Sequence, residues 1–229
     1  MTGEVREKLI EWADRYNDPL YFQQDPIAFP REFLHRGASL QDIEIAAVFA
    51  AHFAWGRRAM IVRDCGRLFD HMEWRPSDYV MSGDWRSDNS SIHRTVKWSD
   101  TAAICARLRD FYREHASLEE LDTAGIRTRI YGQKEDPRAA NKKINMMRRW
   151  MVRDDGKVDL GLWRNSSKDE LIIPLDVHVY DQAAALGLTE RHSKDLGTAI
   201  EITDAFRDIF PGDPAKGDFA LFGYGIDNA

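Results

Sequence analysis

Two charged side chains, Lys142 and Asp176, lie near the predicted starts of helices and could act together chemically. Asp176 follows the apolar run 171–173 and Pro174, and it precedes a helical pattern that ends at Gly187. Aspartate is a preferred N-cap, and the positive end of a helix dipole favours its ionised form. A carboxylate held in this way can stabilise positive charge on a substrate, although the local pattern alone favours a cap without chemistry.

Lys142 lies near the N-terminus of a helix predicted over residues 138–153, where its charge opposes the helix dipole. This electrostatic cost has no local benefit, and costs of this kind are expected at functional sites. Partial burial would also destabilise the ammonium group and favour the nucleophilic amine. The alternative is a solvated lysine in a basic run that also contains Lys143. Only the fold can bring Lys142 to Asp176, which lies 34 positions further along the chain.

The composition indicates a globular protein without a membrane-spanning segment. The 229 residues are 43% hydrophobic and 31% charged, and no apolar run reaches the length of a membrane span. The N-terminal stretch is a charged amphipathic helix, so we expect a cytoplasmic protein. The net charge of −6 argues against non-specific coating of nucleic acid, yet it allows a local basic face. The two cysteines, Cys65 and Cys105, exclude a four-cysteine zinc or iron–sulfur site, and we expect neither a metal nor another cofactor.

Helical periodicity dominates the chain and predicts an all-α fold. No alternating strand pattern of useful length is present, and residues 76–91 are predicted to form a polar surface excursion. We expect one domain built of two interlocked helical lobes, roughly residues 1–115 and 116–229, in which the two termini can share a lobe. The predicted helices are residues 4–16, 40–55, 57–72, 100–115, 138–153, the stretch after Asp176, 194–210 and 217–226.

The stretch Pro-Leu-Asp-Val-His-Val at 174–179, followed by an apolar helix and Leu-Gly-Leu, resembles the catalytic segment of helix-hairpin-helix (HhH-GPD) DNA glycosylases. Within that superfamily the chain is most similar to the archaeal 8-oxoguanine glycosylase type, in which a lysine-initiated helix, a loop and a Pro-x-Asp segment recur at nearly this separation. A bacterial family of unknown function resembles nearly the whole chain. The motifs that carry this second resemblance are Lys-Lys-Ile-Asn at 142–145, Arg-Trp-Met-Val-Arg at 149–153, Asp-Leu-Gly-Leu-Trp at 159–163, Ile-Pro-Leu-Asp at 173–176 and Asp-Phe-Ala-Leu-Phe-Gly at 218–223.

The resemblance to the glycosylases implies a bifunctional DNA glycosylase/AP lyase. Such an enzyme excises an oxidised purine, here of the 8-oxoguanine kind, in base excision repair. Lys142 matches the lysine that attacks the deoxyribose C1′ of a flipped nucleotide and forms a Schiff base, and Lys143 is the adjacent alternative nucleophile. Asp176 matches the carboxylate that stabilises positive charge on the sugar.

The same resemblance assigns contacts to the flipped base, which needs a stacking pocket. Asp218 and Phe222, one helical turn apart, match positions that bind the base by a hydrogen bond and by stacking. His52 lies where a glutamine of the first long helix would probe the lesion. Trp55 and Pro174 complete the expected base contacts, although a tryptophan such as Trp55 is more often part of the core.

Four arginines are expected to contact the DNA backbone: Arg57, Arg58, Arg149 and Arg153. A solvated face is the alternative explanation for such arginines. The chain lacks the Leu-Pro-Gly-Val-Gly hairpin of the glycosylases, and residues 131–137 offer only a degenerate helix-hairpin-helix.

We therefore expect a monomer that binds damaged DNA, as a duplex or a single strand, and that does not bind a membrane. The acidic net charge and the degenerate hairpin favour an alternative from a different class. That alternative is a nucleic-acid- or protein-binding module that kept the fold and lost the chemistry. The two hypotheses differ in one testable respect, since only the first requires Lys142 to react with DNA.

Overall fold

The computed structural model describes residues 2–228, and helices account for 61% of the chain against 2% for strands. The predicted all-α class is therefore confirmed. The described residues form the helices α1 (Gly3–Tyr16), α2 (Ala28–His35), α3 (Leu40–Phe53), α4 (Arg58–His71), α5 (Pro76–Ser82), α6 (Trp98–Tyr112), α7 (Thr123–Gly125), α8 (Lys142–Val152), α9 (Val177–Ala185), α10 (Leu196–Ile209) and α11 (Gly217–Asp227).

Shorter elements connect these helices. Two strands, β1 (Ser91–His93) and β2 (Val96–Lys97), form an antiparallel hairpin. A π-helical turn, Ile126–Ile130, directly follows α7. The remaining regular segments are the 3₁₀ turns Pro19–Phe22, Leu118–Glu120, Lys168–Glu170 and Pro214–Lys216.

The structure departs from the sequence-based elements in two places. Residues 76–91 do not form a plain surface excursion, because they contain α5 and lead into β1. The strands of two and three residues are too short to show a period-2 pattern in the sequence. The helix predicted from residue 138 begins only at Lys142, because Asp136 closes a turn onto the Arg138 N–H and Asn141 adopts a left-handed conformation.

The chain divides into two compact units. The first unit joins Met1–Tyr21 to Asp136–Ala229, and the second is the continuous stretch Phe22–Glu135. The sequence placed the boundary near residue 115, whereas the structure places it at residue 135. The N-terminal helix belongs to the unit that contains the C-terminus, an arrangement that the sequence-based division allowed.

The first unit is held together by the packing of α1 against α11. Leu9, Ala13 and Tyr16 of α1 are buried in the same apolar cluster as Leu221 of α11. Gly223 permits this close approach, since a Cβ atom added there would lie 2.2 Å from the Tyr16 ring. The cluster extends through α9 and α10, so this core supports the helices that carry Asp176 and Asp218.

The second unit is organised around α3, most of whose side chains are buried. Its N-terminus is closed by the capping box that Ser39 and Asp42 form. Glu44, a fully buried carboxylate on the same helix, accepts hydrogen bonds from the Tyr112 hydroxyl and the Leu118 N–H. These bonds replace the lost hydration of Glu44 and connect α3 to α6 and the turn that follows it. No helix within residues 2–228 combines the length and the apolar character needed to cross a membrane.

Candidate functional site

Lys142 and Asp176 form an ion pair within the first unit. The Lys142 Nζ atom lies 3.1 Å from Asp176 Oδ2, and each side chain is 30% exposed. The pair is therefore accessible from solvent without being fully hydrated, which strengthens its electrostatic interaction relative to a free surface pair. The structure thus brings together the two residues that the sequence singled out.

The first residue of α8 is Lys142 because the residue before it breaks the helix. Asn141 has φ 49° and ψ 39°, in the left-handed region that asparagine tolerates better than most residues. Its side-chain amide donates a hydrogen bond to the Ala139 carbonyl at 3.0 Å. Lys142 consequently occupies the first helical position, where its ammonium group faces the positive end of the helix.

Asp176 is the N-cap of α9, as the sequence predicted. Its backbone is extended, and its Oδ1 atom accepts a hydrogen bond from the Val179 N–H at 2.9 Å. The cap leaves Oδ2 for Lys142. Capping therefore fixes the direction of the carboxylate and does not compete with the ion pair.

Lys143 is half-buried beside this pair. Burial and, to a smaller extent, the charge of Lys142 lower the pKa of Lys143 to about 8. No ion pair of Lys143 is found among residues 2–228. The site thus contains a second amine that loses its proton more readily than an ordinary lysine.

Asp218, in the first turn of α11, belongs to the same electrostatic environment. Burial raises the pKa of Asp218 to about 6 against the opposing charge of Arg149, and the negative charge of Asp176 contributes to the increase. The positive charge of Lys142 acts in the opposite direction. Asp218 is 15% exposed and accepts a hydrogen bond from Arg149 Nη1.

Arg149 and Arg153 do not lie where the sequence-based assignment placed them. They are 5% and 1% exposed, so neither guanidinium group can contact a DNA backbone, and this expectation is corrected. Both arginines instead bond to the buried Asp159, Arg149 through Nε at 3.2 Å and Arg153 through Nη1 at 3.1 Å. Arg153 also makes a bidentate bond to Asp213, with Nε and Nη2 each 2.9 Å from a carboxylate oxygen.

The sequence-based assignment missed this buried charge network, in part because Asp155 and Asp213 lie in polar stretches of the sequence. Arg153 Nη1 donates to Asp155 at 2.6 Å, and the Asn17 amide donates to the same carboxylate at 2.5 Å. The Asp-Leu-Gly-Leu-Trp motif contains the one available signal, since Asp159 is an acid within an otherwise apolar segment. The network anchors α8, and with it Lys142, inside the first unit.

Phe222 and Pro174, the two other residues of the first unit that are predicted to contact the base, have different surroundings. Phe222 is half-buried, and its ring packs edge-on against Tyr16 and Tyr21 with centroid separations of 5.9 and 6.3 Å. Pro174 is buried, so its predicted contact with a base is not supported.

His52 and Trp55 belong to the second unit. The His52 ring stacks on Tyr131 at a centroid separation of 5.3 Å. Both rings line a cavity of about 310 Å³ whose other lining includes Arg107 and Asp100. One face of Trp55 is covered by the guanidinium group of Arg94, 4.4 Å from the ring centroid. Trp55 is therefore already stacked, and on that face it presents no free platform for a base.

Arg57 and Arg58 are exposed at the start of α4, as expected for residues that contact phosphates or solvent. Arg58 lies 3.8 Å from the Asp25 carboxylate, which partly offsets its charge. Both arginines belong to the second unit, with His52 and Trp55.

The side chains that could hold a metal ion are scattered in the described part of the chain. Within residues 2–228, no group of three or more histidine, cysteine, aspartate or glutamate side chains is arranged so that it could hold a metal ion. Cys65 and Cys105 are both buried, and burial raises the pKa of the Cys105 thiol to about 12. These two thiols therefore pack as small apolar groups.

The chain belongs to the family described as "protein of unknown function (DUF2400)", which matches residues 25–135 and 122–227. No curated protein and no solved structure matches the chain. Any assignment of chemistry must therefore come from the geometry and the electrostatics of the site, because family membership brings no activity with it.

Proposed function

We propose that the protein is a bifunctional DNA glycosylase/AP lyase that excises an oxidised purine, with Lys142 as nucleophile and Asp176 as the stabilising carboxylate. The observation that carries the proposal is the 3.1 Å separation of Lys142 Nζ and Asp176 Oδ2 at the first turns of two helices. The helix-hairpin-helix glycosylase fold is part of this proposal, as is base excision repair as its setting.

The site has the charges that removal of a base requires. As the C1′–N bond breaks, positive charge develops on the deoxyribose, and a fixed carboxylate stabilises that charge. The bond from the Val179 N–H fixes Asp176 before any substrate binds. Asp176 also lies at the positive end of the α9 dipole.

Lys142 supplies the nucleophile. Its Nζ atom forms a bond to C1′ while the electron pair of the C1′–N bond leaves with the base, which takes up the proton that the amine loses. Opening of the sugar ring then gives a Schiff base between Nζ and C1′. Loss of a C2′ proton expels the 3′ phosphate, which completes strand cleavage. Asp176 Oδ2 lies 3.1 Å from the Nζ atom that begins this sequence.

Asp218 is the proposed polar contact for the base. With a pKa of about 6 it exchanges its proton near neutral pH, so its carboxyl group can either donate or accept a hydrogen bond. Phe222 lies one turn further along α11, as a stacking partner requires. The choice of an 8-oxoguanine-like lesion comes from the glycosylase resemblance.

Borohydride trapping of the Schiff base tests the proposal. Wild-type protein incubated with a lesion-containing duplex should give a covalent adduct, and Lys142→Ala should abolish it. Asp176→Asn should reduce the adduct by a factor of about 100 or more, the loss that follows removal of a single stabilising group. Lys168→Ala, a change to an exposed lysine of the same unit, is the matched control and should leave the yield unchanged.

The same assay separates the alternatives. Loss of the adduct in Lys143→Ala with retention in Lys142→Ala would move the nucleophile to Lys143, whose lowered pKa makes it the competing amine. Binding of DNA without any adduct, across oxidised, alkylated and deaminated bases, would refute the enzyme. That result would favour the alternative hypothesis, a binding module that has the same fold and no chemistry.

A further inference from the structure

A buried histidine–aspartate pair lies in the second unit, away from the residues of the proposed chemistry in the sequence. His93 is fully buried, and its Nδ1 atom lies 2.8 Å from Oδ2 of Asp64, which is 1% exposed. The other ring nitrogen, Nε2, lies 3.1 Å from the backbone carbonyl of Trp55. The pair ties the β-hairpin to α4 and to the residues that follow α3.

Both neighbours of the His93 ring are hydrogen-bond acceptors. Asp64 Oδ2 and the Trp55 carbonyl oxygen therefore hold the ring from two sides. These contacts fix the β-hairpin against α4, and Arg67 Nη2 adds a hydrogen bond to the Ser91 carbonyl of β1 at 3.3 Å.

Three exposed arginines adjoin this pair, and we call Arg63, Arg67 and Arg94 the arginine cluster. Arg63 and Arg67 contact Asp64, whereas Arg94 directly follows His93 in the chain. Arg63 Nε donates to Asp64 at 2.8 Å, and Arg67 Nη1 lies 3.7 Å from the same carboxylate oxygen. Arg63 and Arg67 are 62% and 46% exposed. The three guanidinium charges of the cluster stand against the one carboxylate of Asp64, so the cluster keeps a net positive charge at the surface.

The position of Arg94 is held by its backbone and by its neighbours. Arg94 has φ 52°, a conformation that costs energy for a residue other than glycine. Its guanidinium group lies 4.4 Å from the Trp55 ring centroid. Gly56 leaves room for it, since an added Cβ atom would lie 2.6 Å from Arg94 Nη1. No ion pair of Arg94 is found among residues 2–228, so its charge faces solvent or a partner.

We propose that the arginine cluster, supported by the Asp64–His93 pair, is a docking surface for the phosphodiester backbone of DNA. An arginine fork matches the oxygens of a phosphate better than any other side chain does. Positioning by such contacts is independent of base sequence, as an enzyme that searches DNA for rare lesions requires. The choice of DNA as the polyanion rests on the proposed function. The charge and the geometry of the cluster are independent of that proposal.

Salt-dependent binding of an undamaged, fluorescein-labelled duplex of about 20 base pairs tests the docking surface. The triple variant Arg63→Gln, Arg67→Gln, Arg94→Gln keeps side-chain hydrogen-bond donors and removes three charges. The slope of log affinity against log salt should fall by about 0.9 for each phosphate that the protein no longer neutralises, hence by about 2 to 3 in the triple variant. Affinity at moderate salt should fall by about tenfold or more.

The matched control removes three other exposed arginines of the same unit, each beside an exposed carboxylate: Arg36→Gln, Arg75→Gln and Arg113→Gln, whose partners are Glu32, Glu73 and Asp110. This control changes the net charge equally, and its slope should change by less than about 0.9, the value for a single phosphate. The triple variant Arg63→Lys, Arg67→Lys, Arg94→Lys should restore most of the slope. A protein that had lost its fold would not show this recovery. Thermal unfolding of each variant verifies the fold.

Equal effects of the cluster variant and the control variant would overturn the docking surface, as would absence of wild-type binding at low salt. The outcome is distinct from that of the trapping assay. A reduced slope without any trapped adduct would support the docking surface and refute the chemistry. A trapped adduct with an unchanged slope would support the chemistry and refute the docking surface.

Discussion

At the scale of single residues, Asp218 and Asp155 show how one unit shifts two carboxyl groups in opposite directions. Burial raises the pKa of Asp218 to about 6, and the charge of Arg149 reduces this shift without reversing it. Burial also acts on Asp155, but there the Asn17 hydrogen bond and the charge of Arg153 outweigh it and lower the pKa. The number and geometry of the partners therefore decide the sign of the shift.

Asp218→Asn should change how stability depends on pH. Between about pH 4 and 6 native Asp218 retains a proton that the unfolded chain has released, so wild-type stability falls as the pH rises through this range. The free energy of unfolding of wild type, minus that of the variant, should fall by up to ~3 kcal/mol from about pH 4 to pH 7. Urea denaturation at several pH values measures this difference.

Asp155→Asn provides the comparison of opposite sign. Its lowered native pKa means that the stabilisation by Asp155 is complete above the unfolded pKa and is lost as the pH falls through the native one. The wild-type advantage over this variant should therefore shrink on acidification. If both variants gave the same slope, the opposite assignments of the two carboxyl groups would be wrong.

At the scale of elements, two helices of the first unit begin with the same kind of cap but differ in what surrounds it. Asp176 caps α9 through the Val179 N–H, and Asp195 caps α10 through the Thr198 N–H at 3.1 Å. The carboxylate of Asp176 lies beside Lys142, whereas that of Asp195 lies beside Arg191. Asp195 therefore has the structural role of a cap alone, whereas Asp176 combines that role with the proposed chemical one.

Alanine at either cap should cost about 1 kcal/mol of stability, because each change removes a hydrogen bond to a helix N–H group. Asp176→Asn should keep most of that stability, since asparagine caps helices nearly as well as aspartate does. Chemical denaturation measures the stability and borohydride trapping measures the chemistry. Asp195→Ala should lose stability alone, Asp176→Asn should lose the adduct alone, and Asp176→Ala should lose both.

A single result would contradict this division of roles. Full trapping activity in Asp176→Asn would mean that the negative charge beside Lys142 is not used, and Asp176 would then be a cap without chemistry. That outcome would restore the simpler explanation of the local sequence pattern.

At the scale of the whole molecule, the first unit is discontinuous in sequence. Leu9, Ala13 and Tyr16 from the N-terminal helix fill the core of a unit whose other helices begin at residue 142. The Trp12 indole donates to Asp227 at 2.9 Å, and the Tyr16 hydroxyl bonds to the same carboxylate at 2.5 Å. Both apolar packing and polar contacts therefore hold α1 against α11.

A fragment of residues 136–229 should not fold alone. Each large side chain of α1 contributes about 1.5–3 kcal/mol by its burial, and a domain has only about 5–15 kcal/mol of net stability. Circular dichroism of the fragment should show reduced helix content and no cooperative melting. Addition of a peptide of residues 1–21 should restore both. Cooperative melting of the fragment on its own would contradict the role of α1.

Some features of this protein follow from local sequence alone. Asp176 as an N-cap, Ser39 with Asp42 as a capping box and the helical class of the chain depend on hydrogen bonds and periodicities within a few residues, which a sequence displays directly. Helix boundaries were predicted less well. The start of α8 depends on the left-handed Asn141, and the local pattern permitted a helix through that position.

Tertiary structure alone decided which charged residues meet and which are buried. Lys142 approaches Asp176 because the tertiary structure of the first unit brings the N-terminal ends of α8 and α9 together, and no local pattern encodes a separation of 34 positions. Arg149 and Arg153 have the same local composition as solvated arginines, yet they are buried. Asp159 in the following loop and two acids distant in sequence, Asp213 and Asp218, make this burial tolerable. The energetic cost of a buried charge is set by its partners in space, so the fold decides it and local sequence does not.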